Sequence, residues 1–179
     1  MSGYSTPIRG FLRRSAAATV AGAVALAVNF ACLHAADALG IVTARGGFQR
    51  LAKLWLKPPL AAAGVGRAWV AAGLPDPDGA LFTILFKVGV GLAMALAYAA
   101  VEPRLPGRAA GKGLIAALVV WLANAAIVLP MLDAGFAGSR ELTVIGMAAF
   151  ALAHTAFFVV LAVGYERLAR RYHQGQRST

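Results

Sequence analysis

Four apolar stretches, 15–39, 80–101, 113–132 and 142–164, leave this chain few ways to fold. Each is about 20 residues or longer, the length at which a helix rising about 1.5 Å per residue crosses a hydrocarbon core about 30 Å thick. Hydrophobic residues make up 60% of the chain and charged residues 13%, well below the charged share of soluble domains. The pattern predicts an all-α, polytopic membrane protein, with its 179 residues forming one membrane domain.

The net charge of +10 does not point to nucleic acid, because the basic residues flank the spans and no nucleic-acid motif accompanies them. They suit anionic lipid headgroups instead. Arg9, Arg13 and Arg14 precede the first span, Arg104, Arg108 and Lys112 lie between the second and third, and Arg167, Arg170, Arg171 and Arg177 follow the fourth. The opposite side carries Arg45, Arg50, Lys53, Lys57, Arg67 and Arg140, mostly in one long loop. The positive-inside rule then predicts a multi-pass membrane protein with both termini cytoplasmic. The first span is too long for the apolar region of a signal peptide, so it is expected to stay uncleaved. Cys32 is the single cysteine, which excludes an intrachain disulfide. The residue three before it is Asn29, which does not fit a lipoprotein signal.

Within the long loop, Arg50, Lys53 and Lys57 share one helical face, while Phe48, Leu51, Ala52 and Trp55 share another. This predicts an amphipathic interfacial helix over 46–57, its basic face contacting lipid headgroups and Pro58-Pro59 ending it. Asp78 is placed to cap the second span.

The chain reads as two repeated helical hairpins. Aligning Tyr98 with Tyr165 brings Lys87 onto His154, each polar residue sharing a face with a tyrosine eleven residues on. Asn29 and Asn124 occupy similar places in the partner helices. A duplication of this kind implies a pseudo-twofold axis along the membrane normal. Small residues would hold the helices together: Ala23, Ala27, Ala31 and Ala35 on the first span, Gly91 and Ala95 on the second. Pro130 removes a helical N–H from the third span. Tyr98, Tyr165 and Tyr172 are placed as an aromatic belt.

Ionisable or amide side chains within the spans mark where chemistry could reside. The candidates are Asn29, His34, Lys87, Asn124 and His154. Lys87 either snorkels outward or faces the bundle near His34, Asp37 and Asp133 as a polar vestibule. His154 either donates to Asn124 as interhelical glue or titrates. Trp121, three residues before Asn124, reads as packing or lipid-facing bulk. The histidines fall at different depths without ligand spacing, so no metal is expected. Gly111-Lys112-Gly113 is a turn rather than a phosphate loop, since neither Ser nor Thr follows the lysine. No catalytic motif or cofactor fingerprint occurs.

The residues Lys87, Ala95, Tyr98 and Pro103, then Gly113-Leu114, Ala117, Pro130, Glu141, His154, Glu166-Arg167 and Arg170-Arg171, make the region 76–171 similar to the YagU-like bacterial inner-membrane proteins. That resemblance implies location and four spans, with no assigned activity. The family pattern has a histidine near the place of Lys87, a departure here. Together these readings lead to an expectation of a non-enzymatic accessory or structural subunit of a membrane assembly, as a homo-oligomer or in a larger complex. A small proton- or ion-linked permeation protein is the alternative, and a lipid-directed enzyme a third.

Overall fold

The computed structural model describes residues 5–44 and 46–174, with side-chain surroundings for 10–44 and 46–170. Arg45 and Arg177 lie outside the described residues, as do the side chains of Arg9, Arg171, Tyr172 and His173. The helices are α1 (Ser5–Ala38), α2 (Gly47–Ala62), α3 (Val65–Ala71), α4 (Ala80–Val101), α5 (Ala109–Ala123), α6 (Leu129–Met131) and α7 (Val144–Gln174). A π-helical segment, Asn124–Val128, joins α5 to α6. Four helical stretches are long and apolar enough to cross a membrane: Gly10–Ala38, Ala80–Arg104, Ala109–Met131 and Val144–Arg170. An even number of crossings leaves both termini on one side, the termini side; α2 and α3 lie on the other, the loop side.

Contacts between the spans run in the order α4–α1–α7–α5. Consecutive spans pair as two hairpins, α1 with α4 and α5 with α7, and the hairpins join through α1 and α7. This is not the twofold relation the sequence repeat implies. A twofold exchanging the hairpins would pair α4 with α5 as closely as α1 pairs with α7, and it does not. The four helices therefore curve into a horseshoe that is open between α4 and α5.

Small residues set the closest approaches, as expected where lipid removes the hydrophobic drive for helix association. A Cβ on Gly91 would sit 2.4 Å from the Leu26 side chain, so Leu26 fits only because that position is bare. A Cβ on Gly113 would lie 2.7 Å from the Phe158 carbonyl oxygen, where α5 meets the α7 backbone. In the first half of α1 the buried small residues are Ala17, Ala18, Ala21, Gly22 and Ala25. The expected seam of Ala23, Ala27, Ala31 and Ala35 is instead exposed. Two residues separate the stripes, about 200° around the helix, so one faces the bundle and the other lipid.

On the termini side, Glu102 accepts from Lys112 and lies 3.8 Å from the Arg14 guanidinium, which donates to the Tyr165 hydroxyl at 3.1 Å. Tyr98 and Tyr165 meet edge to face at 6.1 Å, each 3% exposed. They form a buried junction of α4 and α7 rather than a lipid-facing belt, because each sits on the same helix face as the packing seam. Lys112 and Gly113 belong to α5, which starts at Ala109, so the expected turn there is helical.

Candidate functional site

The open side of the horseshoe holds a cavity of about 280 Å³. All four spans contribute a polar side chain: Asn29 from α1, Lys87 from α4, Asn124 from the π segment and His154 from α7. Their distances along the helices place them at one level, about 10–15 Å from the loop-side helix ends. Four of the five intramembrane residues singled out from the sequence thus converge. The fifth does not: His34 is exposed on the outer face of α1 and does not line the cavity. Asp133, which the vestibule reading placed near Lys87, pairs with Arg140 in the turn before α7.

Asn29, Asn124 and His154 each have a main-chain anchor that fixes the side chain's direction. Asn29 donates through Nδ2 to the Ala153 carbonyl at 3.0 Å, a direct tie between α1 and α7. Asn124 donates to the Val120 carbonyl of its own helix at 3.0 Å. His154 Nδ1 lies 2.9 Å from the Phe150 carbonyl. A carbonyl only accepts, so Nδ1 carries the hydrogen and Nε2 of the neutral ring is left as an acceptor. The expected His154–Asn124 bond is therefore replaced by two bonds back to the preceding turn. The interhelical glue is Asn29.

The π segment follows from Pro130. Proline has no N–H to offer the Ala126 carbonyl, and the helix before it widens. The Leu129 N–H reaches the Asn124 carbonyl, five residues back. Widened turns of this kind recur at functional sites. Here the segment carries Asn124 to the cavity wall.

The start of α2 roofs the cavity on its loop side. Gly46 takes a left-handed conformation, φ 82°, that turns the chain into the helix. Gly47 then packs against the end of the π segment and α6, 3.5 Å from Leu129 as measured from a built Cβ. Gln49 is 7% exposed and donates to the Thr83 hydroxyl of α4 at 3.0 Å, while Phe48 meets Phe86 at 6.0 Å. The first turn of α2 thus bridges α4 and the π segment across the open side. Gln49 escaped the sequence reading because an amide next to a basic face looks solvent-directed; the Gly46-Gly47 pair ahead of it was the available signal of close backbone approach.

The rest of α2 lies exposed with Leu54, Trp55, Leu56 and Leu60 bare. It does not end at Pro58-Pro59 but continues to Ala62. Here the Leu54 and Trp55 carbonyls lack the N–H four residues on, a loss tolerable at an exposed surface. The basic side chains on α2 all have protein carboxylates nearby: Arg50 with Glu141 at 3.5 Å, Lys53 with Asp78 at 2.9 Å and Lys57 with Asp78 at 3.8 Å. Hydrogen bonding and charge from Lys53, then the charge of Lys57, hold the Asp78 carboxyl below its ordinary range. Asp78 therefore serves α2 and does not cap α4, whose N-cap residue is Gly79.

No curated protein and no solved structure matches this chain. Residues 12–175 match the model of a family of unknown function, DUF6789.

Proposed function

The chain belongs to the DUF6789 family, and we propose that it is a non-enzymatic membrane protein that binds an apolar molecule taken laterally from the bilayer. The observation that carries this reading is the cleft between α4 and α5. A mostly apolar cavity with a few convergent polar groups is the form of a small-molecule site. Among the described residues that line it there is no Ser, Thr, Cys, Asp or Glu, so none of them brings a hydroxyl, thiol or carboxylate nucleophile to the space.

The resemblance of region 76–171 to YagU-like proteins supports a bacterial inner membrane, and the basic residues on the termini side support a cytoplasmic location for both ends. Reporter fusions at Leu39, Val101, Leu132 and Gly164 test this by alternating between compartments. The exposed face of α2, with Trp55 at its centre, supports a seat in the headgroup plane, where Arg50, Lys53 and Lys57 divide their charge between Asp78, Glu141 and lipid phosphate. The lipid-facing stripe Ala23, Ala27, Ala31 and Ala35 supports close packing against a second copy or a partner span, as an accessory unit of an assembly would need. Leucine at Ala27 and Ala31 together is expected to reduce that association in native gels, and an unchanged oligomer would remove it.

The binding reading is tested by purifying the full chain in mild detergent and extracting it for bound apolar molecules. Wild type is expected to retain one per chain. Ala123→Phe, which fills the cleft from α5, is expected to retain none while melting normally. Equal retention by both, or none by either, overturns the reading. The second reading, proton- or ion-linked permeation, is favoured by the depth of His154 beside the π segment. It requires flux in liposomes at pH 5 or pH 8, and no flux at either pH removes it.

A further inference from the structure

We propose that the groove between α1 and α7, on the outer face of the bundle and apart from the cleft, holds one anionic phospholipid whose phosphate is bound by Arg13 and Arg167.

The groove has a volume of about 540 Å³ and is walled by Val20 and Val24 of α1 and by Val160 and Val163 of α7. The helices meet at its floor, where a Cβ on Gly164 would lie 3.3 Å from that of Ala21. Along α7 it runs from Val159 to Arg167, about 12 Å, close to the depth of one leaflet of a hydrocarbon core about 30 Å thick. Arg167, at the termini end, is the one polar side chain among the described residues that line it.

The helical period brings Arg13 onto the same line. It precedes Val20 by two turns and Val24 by three, within about 20° of each around α1. The Ala21–Gly164 contact sets the register of the two antiparallel helices. Arg167 then lies about 4.5 Å, and Arg13 about 12 Å, toward the termini side of that contact. Snorkelling brings the Arg167 guanidinium outward toward the level of Arg13, its stem covering the apolar wall. Two guanidinium forks above an apolar groove match a phosphate above an acyl chain.

Charge selects the occupant. Ten of the chain's 17 Lys and Arg residues lie on the termini side, against two of its 7 Asp and Glu residues, Glu102 and Glu166. Both of these are taken: Glu102 by Lys112 and Arg14, and Glu166 by Arg170. Among the described residues, Arg13 and Arg167 form no ion pair. A second copy seated here would bring the same cationic surplus to the same level and no spare carboxylate. An anionic lipid supplies the missing charge together with the chain that fills the groove.

Native mass spectrometry of the full chain, released from nanodiscs of equal parts phosphatidylglycerol and phosphatidylcholine with identical acyl chains, tests the proposal. Wild type is expected to keep one phosphatidylglycerol, in about tenfold preference to phosphatidylcholine, whose ammonium would face the arginines. Arg13→Gln with Arg167→Gln is expected to lose that preference. Arg104→Gln with Arg108→Gln removes as much charge from the same side, away from the groove, and is expected to keep it. Val24→Trp fills the groove, leaves both arginines, and is expected to lose the lipid. Ala123→Phe fills the cleft and is expected to keep it, so that the groove and the cleft fail separately. Equal retention of the two lipids by wild type overturns the proposal, even where a variant fails to fold. Equal losses in the two arginine pairs show diffuse attraction and no built site. A lipid-free wild-type dimer that Val24→Trp splits would mean that a second copy covers the groove, and the lipid assignment would be wrong.

Discussion

Gly113 and Gly89 look alike in the sequence, and the structure separates them. A methyl at Gly113 meets the Phe158 carbonyl and the Val159 Cα, backbone atoms that cannot swing aside. A methyl at Gly89 meets nothing within 4 Å. Gly113→Ala is therefore expected to cost about 1–3 kcal/mol, while Gly89→Ala is neutral or gains up to about 1 kcal/mol of helix propensity. Thermal unfolding of both variants in one detergent checks the difference, and equal losses would contradict the α5–α7 crossing. At this scale the residues that line the candidate cavity were partly legible. Asn29, Lys87, Asn124 and His154 were found because polar atoms stand out in an apolar segment. His34 stood out equally and faces away from the bundle, since which face turns inward depends on neighbours in space rather than on spacing. The alanine stripes of α1 failed for the same reason: a helix this rich in small residues offers more than one candidate seam.

At the scale of elements, two clusters of charge tie helix ends together. Glu102 faces both Lys112 and Arg14, its side chain only 18% exposed. Glu102→Gln leaves two cations without their shared anion and is expected to lower stability by about 1.5–3 kcal/mol. Melting curves check this, and a change under a few tenths of a kcal/mol would show that the cluster is incidental. On the loop side, Asp78 restrains α2. A carboxyl whose folded-state pKa is depressed stabilises fully above its ordinary value of 3.8 and loses that contribution as pH falls through the depressed one. Hydrogen exchange of α2 is therefore expected to be faster in Asp78→Asn than in wild type at pH 7. The difference should vanish well below the ordinary carboxylate range, and its persistence there would assign the effect to something other than charge. The spans themselves were readable to within a few residues because length and hydropathy dictate them. Helix continuity was less so. The extension of α2 through Pro58-Pro59 depends on exposure, and the π segment before Pro130 depends on how the helix absorbs a missing donor.

For the whole molecule, the sequence suggested two hairpins but not how they meet. Pairing α1 with α7 rather than α4 with α5 is decided by bulk and bareness at the crossings, which a repeat cannot encode. That asymmetry produces the cleft, and the functional account depends on it. In a Cys32→Ala background, disulfide cross-linking of paired cysteines in native membranes tests it most directly. Ala21→Cys with Gly164→Cys is expected to link rapidly, since a Cβ on Gly164 lies 3.3 Å from that of Ala21. Met94→Cys with Val120→Cys, facing each other across the open side, is expected to stay reduced. Rapid linkage of the α4–α5 pair with none between α1 and α7 would mean that the cleft is closed and the helices are ordered differently.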